Sequence, residues 1–331
     1  MHYFGKENKG GRWHKIIWGV GCMGVLVVLL AACGQKPAAS DTNMLTLPAL
    51  SPVEREGKLQ VVATTSIIGD VVAQVGGDLI ELTTLVAAGQ DPHGYEPSAQ
   101  ALTAVANADV IFINGYDLEE GLLRTLQNTA EDVPFVPVSA NISPRVLDGL
   151  PDPHTWLDPH NVKQWVENIE QTLSALDPEN TAVYQQNATR YQTQLDQLIT
   201  EIEQQISQIP PERRLLVTNH DALGYFADRY GFTIIGTVIP ASSSLAEPSA
   251  ADLTQLVNDM KEAGICTLFV ESSVNDRLAR AVAAELNFCD EVQVLTLYTG
   301  ATGLPGSGAE TYLGMMRANV TAIVSGLGKK S

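Results

Sequence analysis

The chain has 331 residues, 38 of them acidic and 20 basic, and its formal net charge of −18 excludes nucleic acid as a partner held by charge. This length suits one large domain or two medium domains with real hydrophobic cores, and no collagen-like, low-complexity or repeated pattern is visible. The acidic surface is expected to keep the protein soluble and to enrich cations near it.

The amino terminus has the parts of an export signal. Four basic side chains precede an apolar stretch over residues 16–30, which ends in Leu-Ala-Ala-Cys-Gly at residues 30–34. The stretch is shorter than the roughly 20 residues that a membrane-spanning helix needs, so a cleaved signal is favoured over a span. An ordinary signal peptide is the other alternative. Because Leu-Ala-Ala-Cys resembles a bacterial lipobox, we predict a lipoprotein signal peptide over residues 1–32 and a lipid on Cys33.

The first half of the exported chain begins with a predicted tether and continues as a predicted α/β domain. Residues 33–57 are rich in Ala, Ser, Thr and Pro, a composition typical of a tether between a membrane and a folded body. In residues 58–176, β-like runs alternate with helical ones. The predicted strands cover residues 59–64, 80–86 and 110–114, and the predicted helices cover residues 67–75 and 99–108.

One long helix is predicted over residues 177–211. Asp177 would cap it, Pro178 suits its first position and Pro210 stops it. Apolar residues recur within it at steps of mostly three and four, which makes one apolar stripe. About 31 residues at ~1.5 Å each give a rod of roughly 45 Å, long enough to connect two domains. A coiled coil is less favoured because no partner repeat is present.

The second half, residues 212–331, repeats the alternation. The predicted strands cover residues 215–218, 233–239, 267–271 and 292–297, and the predicted helices cover residues 221–230, 249–263 and 277–286. The fold expected for the body is therefore α/β, with two α/β sandwich domains, mainly parallel sheets and one long connecting helix.

Both His220 and Glu271 fall at the carboxyl ends of predicted strands, and His93 falls in a loop between a strand and a helix. Open α/β sheets bind ligands outside the carboxyl ends of their strands. Two such domains facing each other would bring ligands from both halves into one cleft.

Histidine is scarce beyond residue 32, and its placement predicts a metal site. Neutral imidazole is the commonest ligand for borderline transition metals, and His93, His154 and His220 each stand beside a turn-forming or strand-ending segment. We therefore predict that these three side chains bind one divalent cation. His160 is interpreted instead as a solvated residue at the start of a helix capped by Asp158.

Two cysteines remain in the exported body besides Cys33. Cys266 opens a predicted strand, and the helix that follows this strand returns toward Cys289. A helix antiparallel to the preceding strand ends near the point where that strand began, so the two sulfur atoms could meet. We predict a disulfide in an oxidising compartment, with two buried free thiols as the alternative.

Several runs, in order along the chain, carry a resemblance to a known family. They are Asp-Pro-His-Gly-Tyr-Glu-Pro at 91–97, Pro-His-Thr-Trp-Leu-Asp-Pro at 153–159, His-Asp-Ala-Leu-Gly-Tyr-Phe at 220–226, Phe-Val-Glu-Ser at 269–272 and Thr-Tyr-Leu-Gly-Met-Met at 311–316. Together they resemble the zinc/manganese solute-binding lipoproteins of ABC transporters, bacterial solute-binding protein family 9.

The resemblance implies two α/β domains joined by a long helix, with a metal bound in the cleft between them. It implies ligands at His93, His154 and His220, and delivery of the metal to an ABC permease whose ATPase lies on the far side of the membrane. A lipid-anchored monomer on the extracytoplasmic face, without enzymatic activity, is the corresponding expectation.

One position departs from the family pattern. Members usually have an aspartate after Leu-Tyr-Thr as a fourth ligand, whereas here Gly300 follows Thr299. Glu271 could act as a ligand, or it could stay behind the ligands and balance the charge of the cation, with water completing the coordination.

The missing aspartate shifts the expected metal toward zinc, because nitrogen-rich tetrahedral sites suit zinc and carboxylate-rich sites suit manganese. Manganese is retained as the second choice, since the His-rich loop of many zinc-restricted members is absent. Two alternatives of other classes are a zinc-dependent hydrolase with Glu271 as a base and a surface adhesin. No His-Glu-x-x-His run supports the first, and no repeat supports the second.

Overall fold

The computed structural model describes residues 44–147 and 149–328. The predicted signal peptide, Cys33 and the first part of the predicted tether lie outside these residues. Among the helices described, none is long and apolar enough to cross a membrane.

The first half of the body forms a four-stranded parallel sheet. Its strands are β1 (Leu59–Thr65), β2 (Ile80–Val86), β3 (Val110–Ile113) and β4 (Phe135–Pro137). They lie in the order β2-β1-β3-β4, and every neighbouring pair is parallel. The central strand β3 is buried along its whole length, as expected where helices cover both faces of a parallel sheet.

The helices of this half are α1 (Ser66–Gly76), α2 (Ala99–Ala106) and α3 (Glu120–Thr129). The side chains of Thr65 and Ser98 accept hydrogen bonds from backbone N–H groups in the first turns of α1 and α2, which explains why these helices begin where they do. The sequence did not predict α3 or β4. No side chain caps α3, and β4 has only three residues, one of them proline.

A short antiparallel pair, β5 (Val146–Leu147) and β6 (Leu150–Pro151), leads to α4 (Pro159–Leu176) and α5 (Thr181–Ile206). The carboxylate of Asp158 accepts from the backbone N–H of His160, so Asp158 caps α4 as the sequence indicates. The helix that follows, α5, is the longest one described.

The predicted long helix was too long at both ends. It has 26 residues instead of about 31, or roughly 39 Å at ~1.5 Å per residue. Residues Pro178–Asn180 form a separate 3₁₀ turn, because the Asp177 carboxylate binds the side chains of Asn180 and Tyr184 and caps no backbone N–H. At the other end, Ser207 ends the helix before Pro210 is reached.

The second half forms another four-stranded parallel sheet. Its strands are β7 (Leu215–His220), β8 (Thr233–Ile239), β9 (Thr267–Glu271) and β10 (Gln293–Leu297). They lie in the order β10-β9-β7-β8. The helices are α6 (Gly224–Tyr230), α7 (Ala250–Ala263), α8 (Arg277–Glu285) and α9 (Tyr312–Gly328).

Helix α6 begins three residues later than predicted, and β7 continues to His220. The backbone N–H of Asp221 donates to Ala241 and that of Ala222 donates to His220, so a turn separates the strand from the helix. His220 therefore lies at the last position of a strand, where its ring can extend beyond the carboxyl ends of the strands.

The buried face of α5 packs against α1, α4 and α9. One continuous core includes residues of both sheets, such as Ala63 and Phe269, together with Tyr191 and Leu195 of α5. The chain is thus an α/β protein with two parallel sheets connected through a long helix. The exact domain boundaries stay a prediction.

Cys266 and Cys289 are joined by a disulfide in the structure, with Cα atoms 5.8 Å apart. Cys266 directly precedes β9, and Cys289 follows α8. The bond therefore closes the strand–helix unit at the end opposite Glu271.

Candidate metal centre

Three buried histidines meet where the carboxyl ends of the two sheets face each other. His93 comes from the loop between β2 and α2, His154 directly precedes a 3₁₀ turn after β6, and His220 ends β7. Each ring offers one nitrogen atom, and these three atoms lie within 4.8 Å of one another. Ring centroids are 5.0 to 5.6 Å apart, so the imidazoles converge without stacking.

His220 is held by Glu271, which ends the neighbouring strand β9. One carboxylate oxygen of Glu271 lies against Nδ1 of His220 and accepts from its backbone N–H at 3.2 Å. The other oxygen accepts from the hydroxyl of Thr299 at 2.5 Å. Both oxygens of Glu271 thus already have partners, and the carboxylate lies behind the imidazole.

His154 is held in the same way by Asp152. The Asp152 Oδ1 atom is 2.9 Å from Nδ1 of His154 and accepts from the His154 backbone N–H at 3.0 Å. The Nε2 atom of His154 lies 3.1 Å from Nε2 of His220, so these two atoms face the centre of the cluster.

His93 has a looser partner. Its Nδ1 atom is 3.3 Å from Oε1 of Glu120, the first residue of α3. Its backbone N–H donates to Asp91, whose second oxygen accepts from the hydroxyl of Ser244 in the other half of the molecule. Each of the three rings therefore faces a carboxylate through Nδ1. In a neutral imidazole that donates from Nδ1, the lone pair is on Nε2, the atom free to bind a metal.

The charges of the cluster follow from this arrangement. Burial, together with His154 and His220, lowers the pKa of His93 to about 2, so His93 is neutral. Burial disfavours the imidazolium of His220, but the Glu271 carboxylate outweighs burial and raises the pKa of His220. Burial likewise disfavours ionised Glu271, yet His220 keeps the pKa of that carboxyl below its usual range.

The segment that follows His154 is hydrogen-bonded to the second half of the molecule. The indole N–H of Trp156 donates to the carbonyl of Thr299 at 2.7 Å, and the hydroxyl of Tyr312 donates to the carbonyl of Trp156 at 2.8 Å. Because Thr299 also binds Glu271, hydrogen bonds connect the segments that carry His154 and His220. The ring centroids of Trp156 and His154 are 5.3 Å apart.

Gly300 adjoins the cluster but leaves little room for a side chain. A Cβ atom at this position would lie 3.0 Å from Cδ of Pro92, which precedes His93, and 3.5 Å from the hydroxyl of Ser273. Its φ is not in the left-handed region, so the backbone itself admits another residue. Within the described ranges, that buried hydroxyl has no hydrogen-bond partner.

His160 lies apart from the cluster. Its Nδ1 atom is 2.9 Å from the Asp158 carboxylate, and Arg229 binds the other oxygen of Asp158 at 2.7 Å. The His160 side chain is 39% exposed, and it is not among the three converging rings. This position agrees with the interpretation of His160 as a residue at the start of a helix.

The loop between β3 and α3, which ends at Glu120, is strained. Tyr116, Asp117 and Glu120 have φ values of 53°, 63° and 35°, which non-glycine residues rarely adopt. Beside this loop, a cavity of about 930 Å³ reaches His93.

Sequence reasoning did not single out Asp152, Glu120 or Thr299. A signal for Asp152 was present in the repeated Asp-Pro-His run, because in each of its three copies the aspartate accepts from the backbone N–H of the histidine two residues later. No local signal points to Glu120, which lies 27 residues from His93 in the sequence.

Comparison with known proteins gives a consistent match. Residues 61–326 match the family described as zinc-uptake complex component A, periplasmic. The manganese-binding lipoprotein MntA of Halalkalibacterium halodurans is 38% identical over 308 residues, covering 92% of this chain and 96% of that protein. The manganese ABC transporter substrate-binding lipoprotein PsaA of Streptococcus mitis is 33% identical over 319 residues, covering 93% and 96%.

Solved structures agree with the family match. The periplasmic zinc binding protein TroA from Treponema pallidum superposes with a TM-score of 0.76 at 30% identity, covering 82% of this chain and 100% of that chain. The Mn-bound periplasmic metal binding protein from Candidatus Liberibacter asiaticus gives a TM-score of 0.73 at 32% identity, covering 82% and 99%. With its two parallel sheets, its histidine cluster and these relatives, the chain belongs to the family of zinc-uptake complex component A, whose members are substrate-binding proteins of ABC transporters and not enzymes.

Proposed function

We propose that this protein captures a divalent transition metal outside the cytoplasm and delivers it to an ABC permease for uptake. The observation that carries the proposal is the cluster of three buried imidazoles whose ligand atoms lie within 4.8 Å of one another. The ligands are His93, His154 and His220, and each is oriented by a carboxylate at Nδ1. Such partners fix the ring and raise the basicity of the nitrogen that binds the metal.

Zinc is the metal that this donor set favours. Three neutral nitrogens with an open fourth position suit tetrahedral zinc, and the usual aspartate is replaced by Gly300. Glu271 acts in this proposal as the partner of His220 and not as a ligand, because it lies at Nδ1, on the side of the ring away from the Nε2 atom that faces the cluster. Water then completes the coordination, and the carboxylates behind the rings balance the charge of the cation.

Manganese is the second candidate, and a specific observation favours it. The relatives at 38% and 33% identity are named as manganese-binding proteins. Manganese prefers oxygen ligands, and the carboxylates of Asp91 and Glu120 lie close to His93. A movement of either group on binding would supply the oxygen that position 300 lacks.

The ligands come from separate segments in both halves of the molecule, which suits capture and release. The permease and its ATPase are the partners proposed for the protein, which would act as a monomer.

We further propose that Cys33 carries a lipid that holds the protein on the extracytoplasmic face of the membrane. Wild-type protein should fractionate with membranes, whereas Cys33→Ser should remain uncleaved or be released. Recovery of wild type wholly in the soluble fraction would contradict the anchor.

Metal analysis of protein purified without chelator tests the function, followed by competition between Zn²⁺ and Mn²⁺ at equilibrium. We expect one bound divalent ion per chain and tighter binding of Zn²⁺. Protein that binds neither ion after exhaustive dialysis against each would refute the proposal. Tighter binding of Mn²⁺ would select the second candidate.

A further inference from the structure

Arg145 connects the histidine cluster to α6 in the other half of the molecule. Its Nη1 atom donates to Oδ2 of Asp152 at 2.9 Å, and its Nε atom donates to Asp228 of α6 at 2.6 Å. Asp152 is fully buried, and its other oxygen holds the ring of His154. One guanidinium therefore joins the carboxylate behind His154 to a helix of the second half.

The backbone around Arg145 strengthens this connection. The Arg145 N–H donates to the hydroxyl of Tyr225 at 2.9 Å, and that hydroxyl donates to the carbonyl of Asp152 at 2.9 Å. The Asp152 N–H donates to the carbonyl of Arg145 at 2.8 Å. Arg145, Asp152 and Tyr225 thus form a closed set of hydrogen bonds across the two halves.

Gly224 makes room for the guanidinium. A Cβ atom at this first residue of α6 would lie 1.8 Å from Nη1 and 2.4 Å from Cζ of Arg145. Any side chain here would require Arg145 to move, although φ at Gly224 is not in the left-handed region. The glycine is therefore explained by the guanidinium and not by backbone conformation.

We propose that Arg145 is a positioning residue for metal binding: it holds Asp152 so that His154 presents Nε2 to the cation. We propose further that Arg145 holds Asp152 in this way only when α6 is packed in its observed position. The inference rests on the proposed function. With Arg145 on Oδ2, the carboxylate of Asp152 is fixed at both oxygens and cannot rotate away from the ring. Without Arg145, Oδ2 loses its charged partner, and the orientation of His154 is no longer fixed.

The molecule contains a matched control. Arg229, Asp158 and His160 repeat the same chain of contacts, with Asp158 bound to Nδ1 of His160 at 2.9 Å and to Arg229 at 2.7 Å. This second chain lies away from the cluster. Removing Arg229 therefore removes an arginine–aspartate–histidine contact without touching a proposed ligand.

The test compares Zn²⁺ affinity, measured by chelator competition, in wild type, Arg145→Ala, Arg145→Lys, Gly224→Ala, Asp228→Asn and Arg229→Ala. We expect Arg145→Ala to weaken binding about 10- to 100-fold, the usual effect of removing a partner behind a metal ligand. Gly224→Ala should also weaken binding, because the added methyl group displaces the guanidinium of Arg145. Arg145→Lys should retain part of the affinity, and Asp228→Asn, whose carboxylate is exposed, should lose less than Arg145→Ala. Arg229 also lies on α6, but it contacts no carboxylate behind a proposed ligand, so Arg229→Ala should lose much less affinity than Arg145→Ala.

Absorption spectra of the Co²⁺-loaded variants give a second readout that a general loss of stability does not move. Arg145→Ala and Gly224→Ala should alter the spectrum, because the ligand geometry changes, and Arg229→Ala should not. Wild-type affinity in both Arg145→Ala and Gly224→Ala would overturn the inference, as would an equal loss in Arg229→Ala. If Arg145→Ala does not fold, Arg145→Lys and Gly224→Ala decide the matter. Failure of wild type to bind Zn²⁺, or unchanged binding by His154→Ala, would instead refute the proposed function.

Discussion

At the scale of single residues, the cluster is defined by what lies behind each imidazole. His154 and His220 have close carboxylates at Nδ1, from Asp152 and Glu271, whereas Glu120 is 3.3 Å from His93 and partly exposed. The His93 ring is thus the least constrained of the three. It is also the one of the three that lines the cavity beside Glu120.

Removal of any one ring should abolish tight binding, because two nitrogens do not hold a dehydrated cation. We expect His93→Ala, His154→Ala and His220→Ala each to weaken metal affinity by orders of magnitude. The matched control is His160→Ala, which removes a histidine with a similar aspartate partner but outside the cluster. Calorimetric titration checks this set of variants. Similar losses at all four positions would contradict the assignment of ligands.

Metal binding should weaken as the pH falls. A metal ligand must be deprotonated, and the Glu271 carboxylate raises the pKa of His220, so protons compete at a higher pH than for an ordinary histidine with a pKa of about 6.5. His93 adds no competition in this range, because its pKa is lowered to about 2. The dissociation constant should therefore rise with acidity between about pH 8 and pH 5. A flat profile would exclude His220 as a ligand.

Gly300→Asp should restore an oxygen donor beside the cluster. Manganese should gain more affinity than zinc, because it prefers carboxylate oxygens. A Cβ atom at position 300 would lie 3.0 Å from the Pro92 ring, which must shift by a few tenths of an ångström. The gain in affinity therefore depends on whether the ring can make this shift. Gly300→Ala is the control for this steric effect. Unchanged affinity for both metals in Gly300→Asp would show that position 300 does not face the cation.

The sequence identified the candidate histidines because rare residues in turn-forming runs stand out without a structure. It could not identify Glu120, since the contact with His93 depends on how α3 packs beside the loop after β2. For Glu271, sequence reasoning left the roles of ligand and supporting charge open. Its position at Nδ1 of His220, on the side of the ring away from Nε2, favours the second role.

At the scale of elements, strand ends control the placement of the cluster. Strands β1, β2 and β9 lie within one residue of their predicted positions, because each is a short run rich in β-branched and other apolar residues. The start of α5 was predicted less well. Asp177 has the chemistry of a cap, and only the folded structure shows that its carboxylate binds Tyr184 instead.

Loss of the Cys266–Cys289 disulfide should destabilise the second half of the molecule. The bond spans a sequence separation of 23, and closing a loop of this size stabilises a fold by about 3 kcal/mol. We expect the double variant Cys266→Ser, Cys289→Ser to lower the free energy of unfolding by this amount in urea titrations. Zn²⁺ affinity should change little, because the bond lies at the opposite end of β9 from Glu271. Unchanged stability would show that the loop is held by packing alone.

At the scale of the whole molecule, the proposed ligands come from both halves, so metal binding should stabilise the complete fold. At a free metal concentration of 100 times the dissociation constant, the free energy of unfolding should rise by about 2.7 kcal/mol. Differential scanning calorimetry with and without Zn²⁺ measures this effect. The increase should vanish in His93→Ala and persist in His160→Ala. A similar increase in both variants would indicate binding of the metal elsewhere.

The position of Trp156 has a practical consequence. Its indole is 2% exposed, lies against His154 and is fixed by its hydrogen bond to Thr299. An aromatic ring so close to the proposed metal is a natural fluorophore for the centre. Ions with unpaired electrons, such as Mn²⁺ and Co²⁺, would quench its emission, whereas closed-shell Zn²⁺ would not. The protein therefore carries an optical label that distinguishes its two candidate cargoes without chemical modification.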